Sequence, residues 1–97
     1  MVGGSDVAAP PEQPYEIRLH PEAARAYRRL QESLRTRIAA AIDGLAHEPR
    51  PTGAALLAGR DDYRIRIGDY RIVYAIEDAQ RLVIVARIAH RREVYRR

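Results

Sequence analysis

A chain of 97 residues can bury one modest core, and the absence of cysteine excludes disulfides and thiolate metal sites. No apolar run approaches a membrane span and the first residues lack the order of a secretory signal, so a cytoplasmic protein without membrane contact is expected. The net charge of +4 divides unevenly, with six Arg against seven acids (−1) in residues 1–48 and eleven Arg against six acids (+5) in residues 49–97. An electropositive second half points to a polyanionic partner, either nucleic acid or an acidic protein. All 17 basic residues are Arg, a side chain that stays protonated and cannot accept a proton near neutral pH.

Residues 1–14, MVGGSDVAAPPEQP, are small, polar and Pro-rich and read as a flexible arm ahead of a single domain over 15–97. Tyr15, Ile17 and Leu19 alternate as the inward face of a short strand, which His20 and Pro21 end. Pro21 suits the first position of a helix, and Glu22 beside it favours the positive end of the dipole. Ala23, Ala24, Tyr27 and Leu30 then recur at helical spacing. Ser33 is the expected cap of a second helix reaching about Ala46, with Leu34, Ile38, Ala41, Ile42 and Leu45 as its apolar stripe and Pro49 as its stop. Residues 50–62 form a loop in which Leu56 and Leu57 are too apolar to both remain in water.

Residues 63–74, YRIRIGDYRIVY, alternate with period two on both sides of Gly68 and Asp69, a two-residue hairpin turn with Gly where positive φ is needed. Closing the hairpin there sets Ile67 opposite Tyr70, Ile65 opposite Ile72 and Tyr63 opposite Tyr74 on one face. The other face carries Arg64 opposite Val73 and Arg66 opposite Arg71. Opposed like charges destabilise a sheet, so this face is either a screened outer surface or a place for an anion. After a turn at residues 77–80, residues 81–88 are apolar on both faces and mark an interior strand, whose register leaves the face of Arg87 open. The order strand, two helices, three antiparallel strands is an α+β fold, a helical hairpin packed on one face of a small antiparallel sheet.

The chain closes with HRREVYRR over residues 90–97. With the last strand antiparallel to the one carrying Arg71, residues His90, Arg91 and Tyr95 should converge on the Arg64, Arg66 and Arg71 face. Such a cluster lacks the oxygen ligands of a hard-cation site. It can neutralise a phosphodiester, stack a base on Tyr and move a proton with His. Blander readings stand beside these: His90 as a hydrogen-bonded loop residue, Tyr95 as a plug on the core, and Arg91, Arg92, Arg96 and Arg97 as a solvated tail.

YRIRIGDYRIVYAI at 63–76, followed about a strand later by IAHRREVYRR at 88–97, resembles the RelE family of toxins from toxin–antitoxin pairs, part of the RelE/ParE superfamily. The loop over 49–59 and the strand–helix–helix order before it also match, so the likeness covers residues 15–97. It implies a metal-independent endoribonuclease, an mRNA interferase without a small-molecule cofactor, that enters the ribosomal A site, cleaves mRNA and inhibits translation. It also implies a cognate acidic, RelB-like antitoxin that holds the toxin inactive in a hetero-oligomer. By position, the family's basic pair falls on Arg64 and Arg66, its transition-state arginine on Arg71, its arginine after the last strand on Arg91 and its terminal tyrosine on Tyr95. Arg92 is counted with the RNA-binding set. Some members place lysines on the hairpin strand. Arginines stand there in this chain, which excludes a lysine base and leaves His90 and Tyr95 to share proton transfer. ParE-like toxins, which share the fold and inhibit DNA gyrase, and a non-catalytic antitoxin-binding module are the alternatives.

Overall fold

Within residues 13–57, 59 and 61–95, which a computed structural model describes, the alternation of residues 63–74 becomes a hairpin and the apolar stripes become helix. In chain order these are β1 (Glu16–Leu19), α1 (Pro21–Arg28), α2 (Glu32–His47), β2 (Ala55–Leu56) and β3 (Asp62–Ile67). β4 (Tyr70–Glu77), a 3₁₀ turn (Asp78–Gln80), β5 (Leu82–His90) and α3 (Arg91–Tyr95) follow. The five strands form one sheet in the order β1-β5-β4-β3-β2, antiparallel except for β1, which runs parallel to β5. The α+β architecture matches the expectation, with β5 interior. The structure adds two short elements, the edge strand β2 and the closing helix α3. Of the loop leucines beside β2, Leu57 is half-buried and Leu56 stays exposed. Within the proposed arm, residues 1–12 lie outside the described residues.

The hairpin register is the one read from the alternation, from Ile67 opposite Tyr70 to Tyr63 opposite Tyr74. Gly68 has φ +59°, whereas Asp69 stays at negative φ, the two-residue turn that wants Gly at its first central position. Ile65, Ile72 and Tyr74 then face Ile38, Ile42 and Leu45 of α2, and Val83, Val85 and Ile88 of β5 complete the core. Helix ends depart from expectation in one detail. Ser33 is inside α2, and its N-cap is Gln31 without a side-chain cap bond. The Arg35 guanidinium instead donates to the Leu30 carbonyl at 2.6 Å, tying the first turn of α2 back to the end of the preceding connection. His20 caps α1, its Nδ1 accepting the Glu22 N–H at 3.3 Å. No helix among the described residues is long and apolar enough to cross a membrane.

β5 holds a bulge. Tyr74 pairs with Val85 but Val73 pairs with Arg87, leaving Ala86 unopposed. One extra residue shifts every later side chain by one face. Ile88 therefore enters the core beside Ile72, and Arg87 joins the row of Arg64 and Val73 on the opposite face.

The end of the sheet away from the Gly68 turn is held by polar contacts. The Tyr74 hydroxyl, on a fully buried ring, donates to the Pro49 carbonyl at 2.7 Å, and burial pushes its pKa up to about 12. Asp78 accepts from Arg50 Nη2 at 2.8 Å and from the Tyr15 hydroxyl at 2.6 Å, and these partners hold its carboxyl down at about 2. Arg50 also donates to the Tyr63 hydroxyl at 3.0 Å, and Arg81, at φ +50°, lays its guanidinium over the Tyr15 ring. Tyr74→Phe should leave the Pro49 carbonyl without its donor and lower stability by about 1–2 kcal/mol in urea unfolding. Asp78 has its folded pKa depressed, so its contribution is present above the unfolded value near 4 and is lost as pH falls toward about 2. The urea midpoint of the wild type should fall more steeply than that of Asp78→Asn across that window.

Candidate functional site

β3 and β4 place their arginines by register alone. Arg66 and Arg71 are direct partners, with Arg64 one row further from the turn, all on the face opposite the core. Arg91 comes from the other end of the chain. It is the first residue of α3, and its backbone N–H donates to the Asp69 carbonyl at 2.7 Å, so the hairpin turn itself holds it. α3 then folds back against β4 and β5, and Arg87 donates to the Glu93 carbonyl at 3.5 Å.

The result is a groove of two adjoining cavities. One, of about 340 Å³, is lined by Arg66, Arg71 and Arg91 together with Gly68, Asp69 and Tyr70. The other, of about 420 Å³, is lined by Arg64 and Arg66 with Thr52, Gly53 and Ile65. Arg66 belongs to both. Arg71 is only 6% exposed and is the one charged residue buried among the described residues. Arg64, Arg66 and Arg91 make no ion pair among the described residues, where the pairs formed are Arg18–Glu16 and Arg50–Asp78. Arg64, Arg66, Arg71 and Arg91 gathered along one groove, with Asp69 at its edge, favour an anionic partner able to accept hydrogen bonds from guanidinium.

Of the residues singled out from sequence, Arg64, Arg66, Arg71 and Arg91 meet here, as expected. His90 does not join them. The register sets it opposite Tyr70 on the helix-covered face, with the two rings edge to face at 5.3 Å. Its Nδ1 accepts the Arg92 N–H at 3.2 Å, so it caps the start of α3 as His20 caps α1. The bulge at Ala86 is the physical reason, since it decides which face every residue from Arg87 onward occupies. Arg92 is exposed on α3 and lines neither cavity. The backbone of Tyr95 closes α3, while its side chain lies outside the described residues. Two residues of the groove wall were missed. Thr52 and Gly53 form a groove wall, signalled in the sequence only as a turn in a loop. Arg87 shares the basic face, yet lines a separate cavity of about 240 Å³ where Glu22 and Glu93 accompany Arg25 and Arg29.

Comparison with known proteins bears on what such a groove belongs to. Residues 17–95 match the sequence family described as the ParE toxin of the type II toxin–antitoxin system parDE. The chain is 33% identical over 88 residues to the toxin RelG of Mycobacterium tuberculosis, covering 87% of this chain and 99% of that protein. It is 34% identical over 90 residues to the toxin RelE of the same organism, covering 88% and 90% respectively. The fold superposes with a TM-score of 0.72 on the crystal structure of the RelBE2 toxin–antitoxin complex from M. tuberculosis, at 26% identity over 80% of this chain and 92% of that one.

Proposed function

The chain belongs to the RelE/ParE superfamily of type II toxin–antitoxin toxins, and on that premise we propose that it is a ribosome-dependent endoribonuclease cleaving mRNA in the A site. The observation that carries the reading is the convergence of Arg66, Arg71 and Arg91 on one phosphate-accommodating cavity. The ribose 2′-oxygen attacks the adjacent phosphorus, the 2′-OH proton departs, and the 5′-oxygen leaves with a proton. The products are a 2′,3′-cyclic phosphate and a 5′-OH. Arg71, already buried at the cavity, stabilises the extra charge of the pentavalent phosphorane together with Arg91. Arg64 and Arg66 hold the backbone, with Arg92 as an outer contact, and Tyr95 orients the base at the cut and takes part in proton transfer. His90, turned to the other face, is left out of the proton path.

Guanidiniums stabilise charge far better than they move protons. Such a site depends on having its substrate delivered in line, and orientation can supply at best about 7–11 kcal/mol of a barrier. Fixing the mRNA is the contribution assigned to the ribosome. The same arginines suit an acidic RelB-like antitoxin, and the RelBE2 structure is one in which a toxin of this fold sits in a complex with its antitoxin. The match to the ParE description favours one competing reading, inhibition of DNA gyrase.

Arg66→Ala and Arg91→Ala should each lower cleavage of ribosome-bound mRNA by about 10²–10³-fold with an unchanged circular dichroism spectrum. Full cleavage by both variants, or wild-type protein that leaves mRNA intact while blocking gyrase supercoiling, would overturn the reading. Binding of single-stranded RNA should weaken with salt, and Arg64→Ala should reduce the slope of log K against log salt by about 0.7. Filter binding across a salt series measures it.

A further inference from the structure

A second hollow, of about 340 Å³, lies on the helix-covered side of the hairpin turn, lined by Gln31, Ser33, Leu34, Arg37, Tyr70 and His90 with the turn itself. Gly68, Asp69 and Tyr70 border both this hollow and the cavity of Arg66, Arg71 and Arg91. The hairpin tip is therefore a ridge with a depression on each side. Arg37 reaches from α2 onto the ridge, close enough that a Cβ placed on Gly68 would lie 3.5 Å from its Nη2. Its guanidinium makes no ion pair among the described residues.

The walls have complementary chemistry. Tyr70 and His90 meet edge to face, giving an aromatic wall against which a flat ring can pack. The His90 Nδ1 is occupied by the Arg92 N–H, so on the neutral ring Nε2–H is the donor that remains. Gln31 and Ser33 add an amide and a hydroxyl. One cation for a phosphate, an aromatic wall for a base and mixed donors and acceptors for its edge match one nucleotide of a single strand. An acidic peptide would use the cation and leave the aromatic wall idle.

We propose that this hollow is a subsite for a further nucleotide of the RNA strand in the arginine groove. The strand crosses the ridge at Gly68 and Asp69, sets a phosphate on Arg37 and packs its base against Tyr70 and His90. The inference rests on the groove holding RNA. His90 thus returns to the RNA as a contact beyond the cut rather than as an acid or base.

The test uses the full-length protein and uncleavable 2′-O-methyl oligoribonucleotides of two to five nucleotides, with affinity read by fluorescence anisotropy. Extension from two to four nucleotides should raise wild-type affinity about tenfold. Arg37→Glu, at an exposed position, should bind the dinucleotide as the wild type does and lose that gain. In NMR spectra the His90 ring signals should shift with the longer oligomers alone. A length-dependent gain that survives Arg37→Glu would overturn the subsite while leaving the groove intact, as would His90 signals that stay still while those of Arg66 and Arg91 move. Failure of every oligomer to shift any of these residues would overturn the subsite, while cleavage of ribosome-bound mRNA by the wild type decides the nuclease reading separately.

Discussion

The arrangement of this protein turns on one unfavourable pairing, Arg66 directly opposite Arg71 across two antiparallel strands. Like charges so placed repel, and sinking one of them to 6% exposure withdraws it from the water that would screen it. The hairpin tolerates this because its other face is among the best-packed parts of the molecule. Ile72 and Tyr74 are fully buried there against α2 and β5. Apolar burial on one side of the sheet stabilises the electrostatic strain held on the other.

Two backbone features turn the strained pair into a site. The tight turn at Gly68 keeps Arg66 and Arg71 adjacent and offers the Asp69 carbonyl to the Arg91 amide. That bond fixes where the chain leaves β5. The bulge at Ala86 then settles the faces beyond it, sending Ile88 inward, Arg87 outward and His90 to the helix side. Arg91 therefore reaches the groove while its neighbour His90 does not. At the far end of the sheet the Tyr15, Arg50, Tyr63 and Asp78 contacts pin the connection that carries Thr52 and Gly53 to the groove wall. Loop position and strand register thus share the definition of the cavity.

Residues of one chemical type serve different purposes here. His20 and His90, each directly before the first residue of a helix, act through Nδ1 as helix caps. Arg50 and Arg81 are structural, one in an ion pair and one stacked on Tyr15, while Arg64, Arg66 and Arg91 make no ion pair among the described residues. Counting arginines in the second half of the chain detects the surplus. Separating the two groups needs the contacts, because an Arg that pairs with Asp78 and one that lines a groove look alike in a sequence.

Local pattern determined most of the fold. The alternation through residues 63–74, the Gly68 turn and the stripe of Ile38, Ile42 and Leu45 fixed the hairpin register, the buried face and the meeting of Arg64, Arg66 and Arg71, because each depends on neighbours only a few residues away. The placement of Arg91 beside them also followed, from strand direction alone. Tertiary structure decided the rest. The parallel pairing of β1 with β5 and the short strand β2 leave almost no periodic trace. The side taken by Arg87 and His90 hung on a single unpaired residue in a strand apolar on both faces, where a slip of one position changes every facing at little cost to the pattern.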